Sequence, residues 1–160
     1  MPPSTIATQR ITALSQHLST SPNPELTAKQ TMASEKKPPI TCHILDTSVG
    51  RPASSIPVTL TLLSPSPLTF TSTTTSDGRV TSWTPSTPFS TTTLEDAFHS
   101  EGDTRWALKF DTEAYFKERG VNTFFPEVEV KFVVREGQKG EHFHVPVLVG
   151  GFGYSTYRGS

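Results

Sequence analysis

The chain has 160 residues, a formal net charge of -1 and a hydrophobic share of 33%. That length suits one domain plus an extension, and the near-zero charge offers no electrostatic footprint for DNA, RNA or an anionic membrane surface. No apolar run reaches the roughly 18 residues a bilayer-crossing helix requires, and Cys42 is the only cysteine, which excludes an intrachain disulfide and a cysteine-rich zinc site. A single cysteine fits a reducing compartment. Cys42 is expected as a small buried core residue rather than a nucleophile.

Residues 1–39 are rich in Ser, Thr, Pro and Lys, lack sustained apolar periodicity and end in Lys36-Lys37-Pro38-Pro39. They are expected to form a disordered extension. Within it, Arg10 and Ile11 are followed after five residues by His17 and Leu18. This resembles an N-terminal type-2 peroxisomal targeting signal, which an import receptor reads. As a helix, the segment would put Ile11, Leu14 and Leu18 on one receptor-facing stripe.

The folded domain is expected over residues 40–160. Residues 40–46 alternate as a strand with Ile40, Cys42 and Ile44 on one face and Thr41, His43 and Leu45 on the other. A turn at 48–52 precedes a second strand carrying Val58, Leu60 and Leu62, which Ser64-Pro65-Ser66-Pro67 breaks. Residues 68–74 are threonine-rich and β-prone. Ser76-Asp77-Gly78 is a hairpin signal after which 79–83 can pair back. Residues 84–93 carry little pattern and read as a loop or short edge strand. Trp106, Leu108 and Phe110 mark another strand. Residues 111–119 read as the one helix of the domain, capped by Asp111 or Thr112 and stopped by Gly120. The clearest strand carries Val128, Val130, Phe132 and Val134, and after a polar turn the closing strand starts at His142. About seven short strands, one short helix and no βαβ rhythm predict an all-β antiparallel sandwich.

Parity in the closing strand sets Phe143, Val145, Val147 and Val149 against His142, His144, Pro146 and Leu148. With the Phe-Val side in the core, His142 and His144 face outward, as does His43 on the first strand. Arg79, opposite Val80, joins them. Leu45, Pro146 and Leu148 make that outer face too apolar for water alone, so a second subunit is expected to cover it. Singly, each histidine reads as an ordinary hydrogen-bonded strand residue and Arg79 as a solvated turn residue. His142-x-His144 with His43 is also a conceivable metal set. Ser160 lacks the Gly-x-Ser-x-Gly elbow of a serine hydrolase. Asp77 and Asp103 read as turn residues.

Several stretches together resemble the 5-hydroxyisourate hydrolases, a transthyretin-like family. They are the run from His43 through Gly50-Arg51-Pro52-Ala53, Asp77-Gly78-Arg79, Phe125-Pro126-Glu127-Val128, His142-Phe143-His144-Val145-Pro146 and the terminal Tyr154-Ser155-Thr156-Tyr157-Arg158-Gly159-Ser160. The terminal Tyr-Arg-Gly-Ser separates these hydrolases from the carrier transthyretin, which shares the fold. The chain departs from many members at Gly150-Gly151, where they carry Ser-Pro.

The resemblance implies a transthyretin-like sandwich of two four-stranded sheets, assembled as a homotetramer with its sites where dimers meet. It implies a purine-derived substrate and hydrolysis of a ring amide to 2-oxo-4-hydroxy-4-carboxy-5-ureidoimidazoline. It implies no metal and no organic cofactor, while the near-zero charge leads to the expectation of no nucleic-acid and no membrane partner. It places His43, Arg79, His144 and Ser160 as catalytic groups and His43, Arg79, Tyr157, Arg158 and Gly159 as substrate contacts. Thr41 is expected to tie down a histidine, and Gly159 to permit a close turn of the tail. The competing expectation is a carrier that binds a small aromatic ligand without chemistry. Because urate oxidation is commonly peroxisomal, the resemblance also supports a peroxisomal address, with the cytoplasm as the alternative.

Overall fold

A computed structural model describes residues 37–160. The targeting-like segment 10–18 lies outside the described residues, as do the other residues before 37. The described strands and helices run β1 (Ile40–Asp46), β2 (Arg51–Pro52), β3 (Pro57–Ser64), β4 (Leu68–Thr73), β5 (Arg79–Val80), β6 (Thr84–Pro85), α1 (Leu94–Phe98), β7 (Thr104–Asp111), α2 (Glu113–Glu118), β8 (Glu127–Val134), β9 (Phe143–Gly150) and β10 (Gly153–Thr156).

Two sheets of five strands form the expected sandwich, one ordered β10-β9-β1-β2 with β5 also on β1, the other β6-β4-β3-β7-β8. The count differs from four because of two-residue pieces too short to show an alternating pattern, β2 and β5 in the first sheet and β6 in the second. Pairing is antiparallel except between β1 and β9, which run parallel in register from Ile40↔Phe143 to Asp46↔Val149. Alternation explains the layers. Ile40, Cys42 and Ile44 of β1, Val58, Leu60 and Leu62 of β3, and Val145, Val147 and Val149 of β9 all turn inward and are buried. Cys42 is fully buried there, and burial pushes its thiol up to about 12, which rules out a thiolate nucleophile.

Phe98, Trp106 and Phe110 are fully buried. Phe98 lies edge-on to Phe143 with ring centroids 5.9 Å apart. Each such side chain contributes about 1.5–3 kcal/mol of transfer free energy. Phe98 arrives on α1, a helix that the sequence reading passed over. A capping box starts it: Thr93 Oγ1 accepts from the Asp96 N–H at 3.1 Å while Asp96 accepts from the Thr93 N–H at 3.0 Å. The single expected helix is therefore two, and the other is shorter than expected at Glu113–Glu118. Thr112 does not cap it with its side chain. Its hydroxyl donates to the carbonyls of Phe125 and Pro126 instead, at 3.0 and 3.2 Å. Gly120 stops the helix at φ +69°. Buried Asp46 ties α2 to the end of β1 by accepting from the Tyr115 hydroxyl at 3.0 Å.

The segment after β4 corrects the hairpin expectation. Gly78 N–H donates to the Thr75 carbonyl at 2.9 Å and Thr75 N–H to the Arg79 carbonyl at 3.0 Å, so the turn closes as its residues demand. The outgoing strand nevertheless does not return to β4. It crosses to the other sheet, where Val80 pairs with Cys42 and Arg79 with His43. Gly78 makes the crossing feasible. It sits at φ +73°, and a Cβ there would lie 2.5 Å from the Ile44 carbonyl oxygen. Trp83 then latches the following loop by donating from its indole to the Ile40 carbonyl at 2.8 Å.

Candidate active site

Three elements place the candidate groups on the outer face of the β1 sheet. β1 supplies Thr41 and His43, β9 supplies His144, and β5 supplies Arg79. Register does the positioning: His43 stands opposite Arg79 in the antiparallel pair, and Thr41 opposite His144 in the parallel one.

His43 is partly buried, and its Nε2 is shielded from solvent with no hydrogen-bond partner. Such an atom is costly unless something else meets it. Burial first, and the Arg79 guanidinium second, hold His43 below the ordinary imidazole value, against an upward pull from Asp77. Arg79 is half exposed and steadied by Asp77, with Nε 3.5 Å from Oδ2. Asp77 is itself held low, chiefly by the Thr75 hydroxyl, so it serves the turn, as its sequence context predicted.

His144 is also held below the ordinary value, by burial and then by Arg79, His142 and His43. Those causes show that the three candidate groups share one electrostatic neighbourhood. The Nδ1 of His144 lies 2.8 Å from Thr41 Oγ1, and the same oxygen lies 3.0 Å from His142 Nε2. The His-x-His pair therefore closes on a buried hydroxyl. His142 itself stands just before β9, exposed, rather than inside the strand.

The tail joins this face along β9. β10 pairs with β9 from Gly153↔Gly150 to Thr156↔Val147. The ladder then lapses across Pro146, which has no N–H to donate, and the Thr156 hydroxyl takes the Pro146 carbonyl at 2.9 Å. It resumes in the same register at Gly159, whose N–H donates to the His144 carbonyl at 2.9 Å. Gly159 is needed for closeness rather than for a turn. Its φ is not positive, but a Cβ there would lie 2.8 Å from His144 Cδ2 and 3.0 Å from Pro146 Cγ. Arg158 pairs with Glu141, and its guanidinium lies 4.8 Å from the Phe143 ring centroid. Arg158 thus anchors the tail. Tyr157, 60% exposed, lines a groove with His144 and Phe132. Ser160 follows Gly159 and is exposed. At Gly150-Gly151 the β9–β10 turn is held by the Phe124 N–H, which donates to the Gly151 carbonyl at 2.7 Å.

Two imidazoles of lowered proton affinity, one with an unmet nitrogen, beside a guanidinium can take a proton from water and counter a developing oxyanion. Thr41 had only a minor place in the sequence reading, and the contact of His142 with it had none. The shared parity of Thr41 and His43 was the available signal. The parallel β1/β9 register, which brings Thr41 to His144, was not predicted.

Residues 40–159 match the HIUase/Transthyretin family. A probable 5-hydroxyisourate hydrolase of Schizosaccharomyces pombe is 38% identical over 128 residues, covering 77% of this chain and 92% of the relative. The 5-hydroxyisourate hydrolase of Mus musculus is 39% identical over 134 residues, covering 81% of this chain and all of the relative. Among solved structures, 5-hydroxyisourate hydrolase of Klebsiella pneumoniae aligns with a TM-score of 0.56 at 30% identity, over 76% of this chain and 98% of that one. Transthyretin of Sparus aurata aligns with a TM-score of 0.59 at 22% identity, over 77% of this chain and 97% of that one, a likeness of fold. The chain belongs to the HIUase/Transthyretin family.

Proposed function

We propose that the protein hydrolyses 5-hydroxyisourate, adding water across a ring amide to open the six-membered ring. The observation that carries this reading is the convergence of His43, Arg79 and His144 on one face, with both imidazoles held below their ordinary value. Attack on an amide carbonyl needs a deprotonated water, a home for negative charge and a proton for the leaving nitrogen. His43 and His144 share the first and third tasks. Each stays neutral, and so able to accept a proton, further into acid than a free imidazole does. Arg79 holds the substrate oxygens and balances the developing charge through its fork of donors. Tyr157 lays its ring against the planar heterocycle. Arg158 and Gly159 hold the tail against β9, and Ser160 brings its hydroxyl to the rim.

A carrier has no need of two proton-poor imidazoles beside a guanidinium, so the ligand-binding alternative accounts for less. A homotetramer, with the outer faces of the β1 sheets meeting and Leu45 and Leu148 at the seam, would complete the site around the substrate. The half-buried state of both leucines supports that assembly. Residues 1–39 act as an extension carrying the peroxisomal address. A fluorescent reporter fused to them is expected in peroxisomes, and a diffuse cytosolic signal in import-competent cells would refute the address. No helix among the described residues is long and apolar enough to cross a membrane.

The test of the activity is the ultraviolet decay of freshly made 5-hydroxyisourate with and without purified protein. The protein is expected to accelerate it well beyond the spontaneous rate, and His144→Ala to lose tens-fold or more, the scale of one acid–base group at about 10²- to 10⁴-fold. Decay unchanged by the native protein would overturn the reading.

A further inference from the structure

Thr41 is an unusual place to put a hydroxyl. It is 7% exposed, on the strand that forms the floor of the site, with imidazole nitrogens on both sides at 2.8 and 3.0 Å. A threonine hydroxyl carries one proton. It can therefore donate to only one of the two rings and must accept from the other. The three groups form a directional chain with two states. In one, His144 Nδ1–H donates to Thr41, which donates to His142 Nε2. In the other, His142 Nε2–H donates to Thr41, which donates to His144 Nδ1. Both states have the same number of hydrogen bonds and differ only in which ring nitrogens carry protons.

The two ends of the chain open onto different surroundings. His144 lies on the site face, with the Cδ2 edge of its ring toward Gly159 and Arg79 and His43 in its electrostatic neighbourhood. His142 is exposed and lines a separate cavity with Lys37, Glu95, His99, Lys139 and Glu141. Those are the titratable groups facing it there. Lys139 pairs with Glu136 at 3.1 Å, His99 lies 3.9 Å from Glu95, and Glu141 pairs with Arg158. That cavity is walled by α1 and the segment before β9, not by the β5 strand that carries Arg79.

We propose that His142 and Thr41 form a proton relay linking His144 to the cavity beside α1, with His142 a positioning residue that acts on the reaction through His144. The inference rests on the hydrolase reading, whose proton balance calls for such a path. Water adds to the amide carbonyl and the C–N bond breaks. One proton of the water ends on the leaving ureido nitrogen, which is not basic enough to take another. The other is released, because the product is a carboxylate, so each turnover gives up one proton. When His144 Nε2 takes one proton from the attacking water, its Nδ1–H passes to Thr41 Oγ1, the Thr41 proton passes to His142 Nε2, and His142 Nδ1–H leaves to solvent. The water's other proton moves to the leaving nitrogen. Once product has left, His144 gives its Nε2–H to water at the open site while His142 Nδ1 regains one from solvent, which returns the chain to its first state. No oxidant or co-reactant is involved. The relay lets the site discharge that proton while the substrate and the tail occupy its mouth.

The test uses full-length protein and four variants, Thr41→Val, Thr41→Ser, His142→Gln and His142→Ala, each checked for an unchanged melting temperature. Turnover and KM are measured across pH, at low and high concentrations of buffer and with added imidazole. Thr41→Val is expected to lower kcat about 5- to 10-fold with KM nearly unchanged, the scale of one hydrogen bond to a working group. Thr41→Ser, which keeps the hydroxyl, is expected to restore most of the loss. Both His142 variants are expected to lower kcat and, unlike the native protein, to speed up as imidazole or buffer rises, because an external carrier replaces the missing ring. Native kcat and buffer independence in the His142 variants would overturn the relay, as would equal rates for Thr41→Val and Thr41→Ser. If the native protein itself left the substrate to decay spontaneously, the hydrolase reading would fall, and the relay with it.

Discussion

The outer faces of the two sheets are built by the same alternation and come out differently. On the β3–β7–β8 side, Thr59, Thr61 and Ala107 are partly or fully covered near the centre, and the lysines and glutamates of β7 and β8 stand in water. Lys131 meets Glu129 at 2.9 Å and Lys109 meets Glu127 at 3.3 Å, all of them 42% exposed or more. Such pairs are worth about 0–1 kcal/mol and are screened by salt. On the β1–β9 side, the outward positions are half-buried. A guanidinium, two imidazoles and a hydroxyl share one electrostatic neighbourhood there, and His43 and His144 both lie below their ordinary value. Imidazoles partly withdrawn from water beside a guanidinium acquire lowered proton affinities.

Removing residues 157–160 is the severest way to break that contrast. Strand β10 ends at Thr156 and only the single Gly159 bridge lies beyond it, so the fold is expected to survive, while turnover falls to the spontaneous rate; near-normal decay kinetics would show the tail to be dispensable. Next comes the guanidinium. Arg79→Ala is expected to cost tens-fold in turnover. Gly78→Val should cost as much without touching a site group, because a β-branched side chain at positive φ collides with the Ile44 carbonyl and pushes β5 off β1. The added strain is about 1–3 kcal/mol, visible as a lower melting temperature. A Gly78→Val protein with native turnover would mean that the β1/β5 register does not position Arg79.

A gentler probe is titration of the imidazole ring protons by NMR. His43 and His144 are expected to titrate below 6.5, their ordinary value. Arg79→Gln should raise both midpoints, since a neighbouring cation disfavours imidazolium and its loss favours it. Midpoints that stay put would remove Arg79 as a cause. The smallest effect belongs to the other face, where Lys131→Ala should change stability by no more than about 0.5 kcal/mol and leave turnover alone.

The contrast also explains what could be read from the chain alone. Long alternating runs such as Val128, Val130, Phe132 and Val134 declare their strand because every second side chain must be buried. The same rule put His43, His144 and Arg79 on one outer face before any coordinates. What stayed hidden was pairing between distant segments. Nothing local in Arg79-Val80 says that this two-residue strand docks on β1 rather than folding back on β4. Nothing local in Thr41 says that a parallel neighbour brings His144 opposite. Helix α1 was missed for another reason: its five residues carry no period, and its cue was the capping pair Thr93 and Asp96, with Asp where Glu or Gln is usual. The tail motif was legible as a string of residues, but the lapse of its ladder at Pro146 became visible only once β10 was seen to pair with β9.

The chain passes from one sheet to the other between Thr74 and Arg79, and that passage ties chemistry to folding. His43, His144 and Arg79 all stand on the β1 sheet, and they meet only after Arg79 has left the β4 side for β1 and β9 has paired with β1, which joins Thr41 to His144 across 103 positions of chain. Competence therefore arrives late, after contacts of long sequence separation have closed. Recovery of turnover during refolding should lag behind the appearance of strand signal, making the reaction itself a clock for closure of the sandwich.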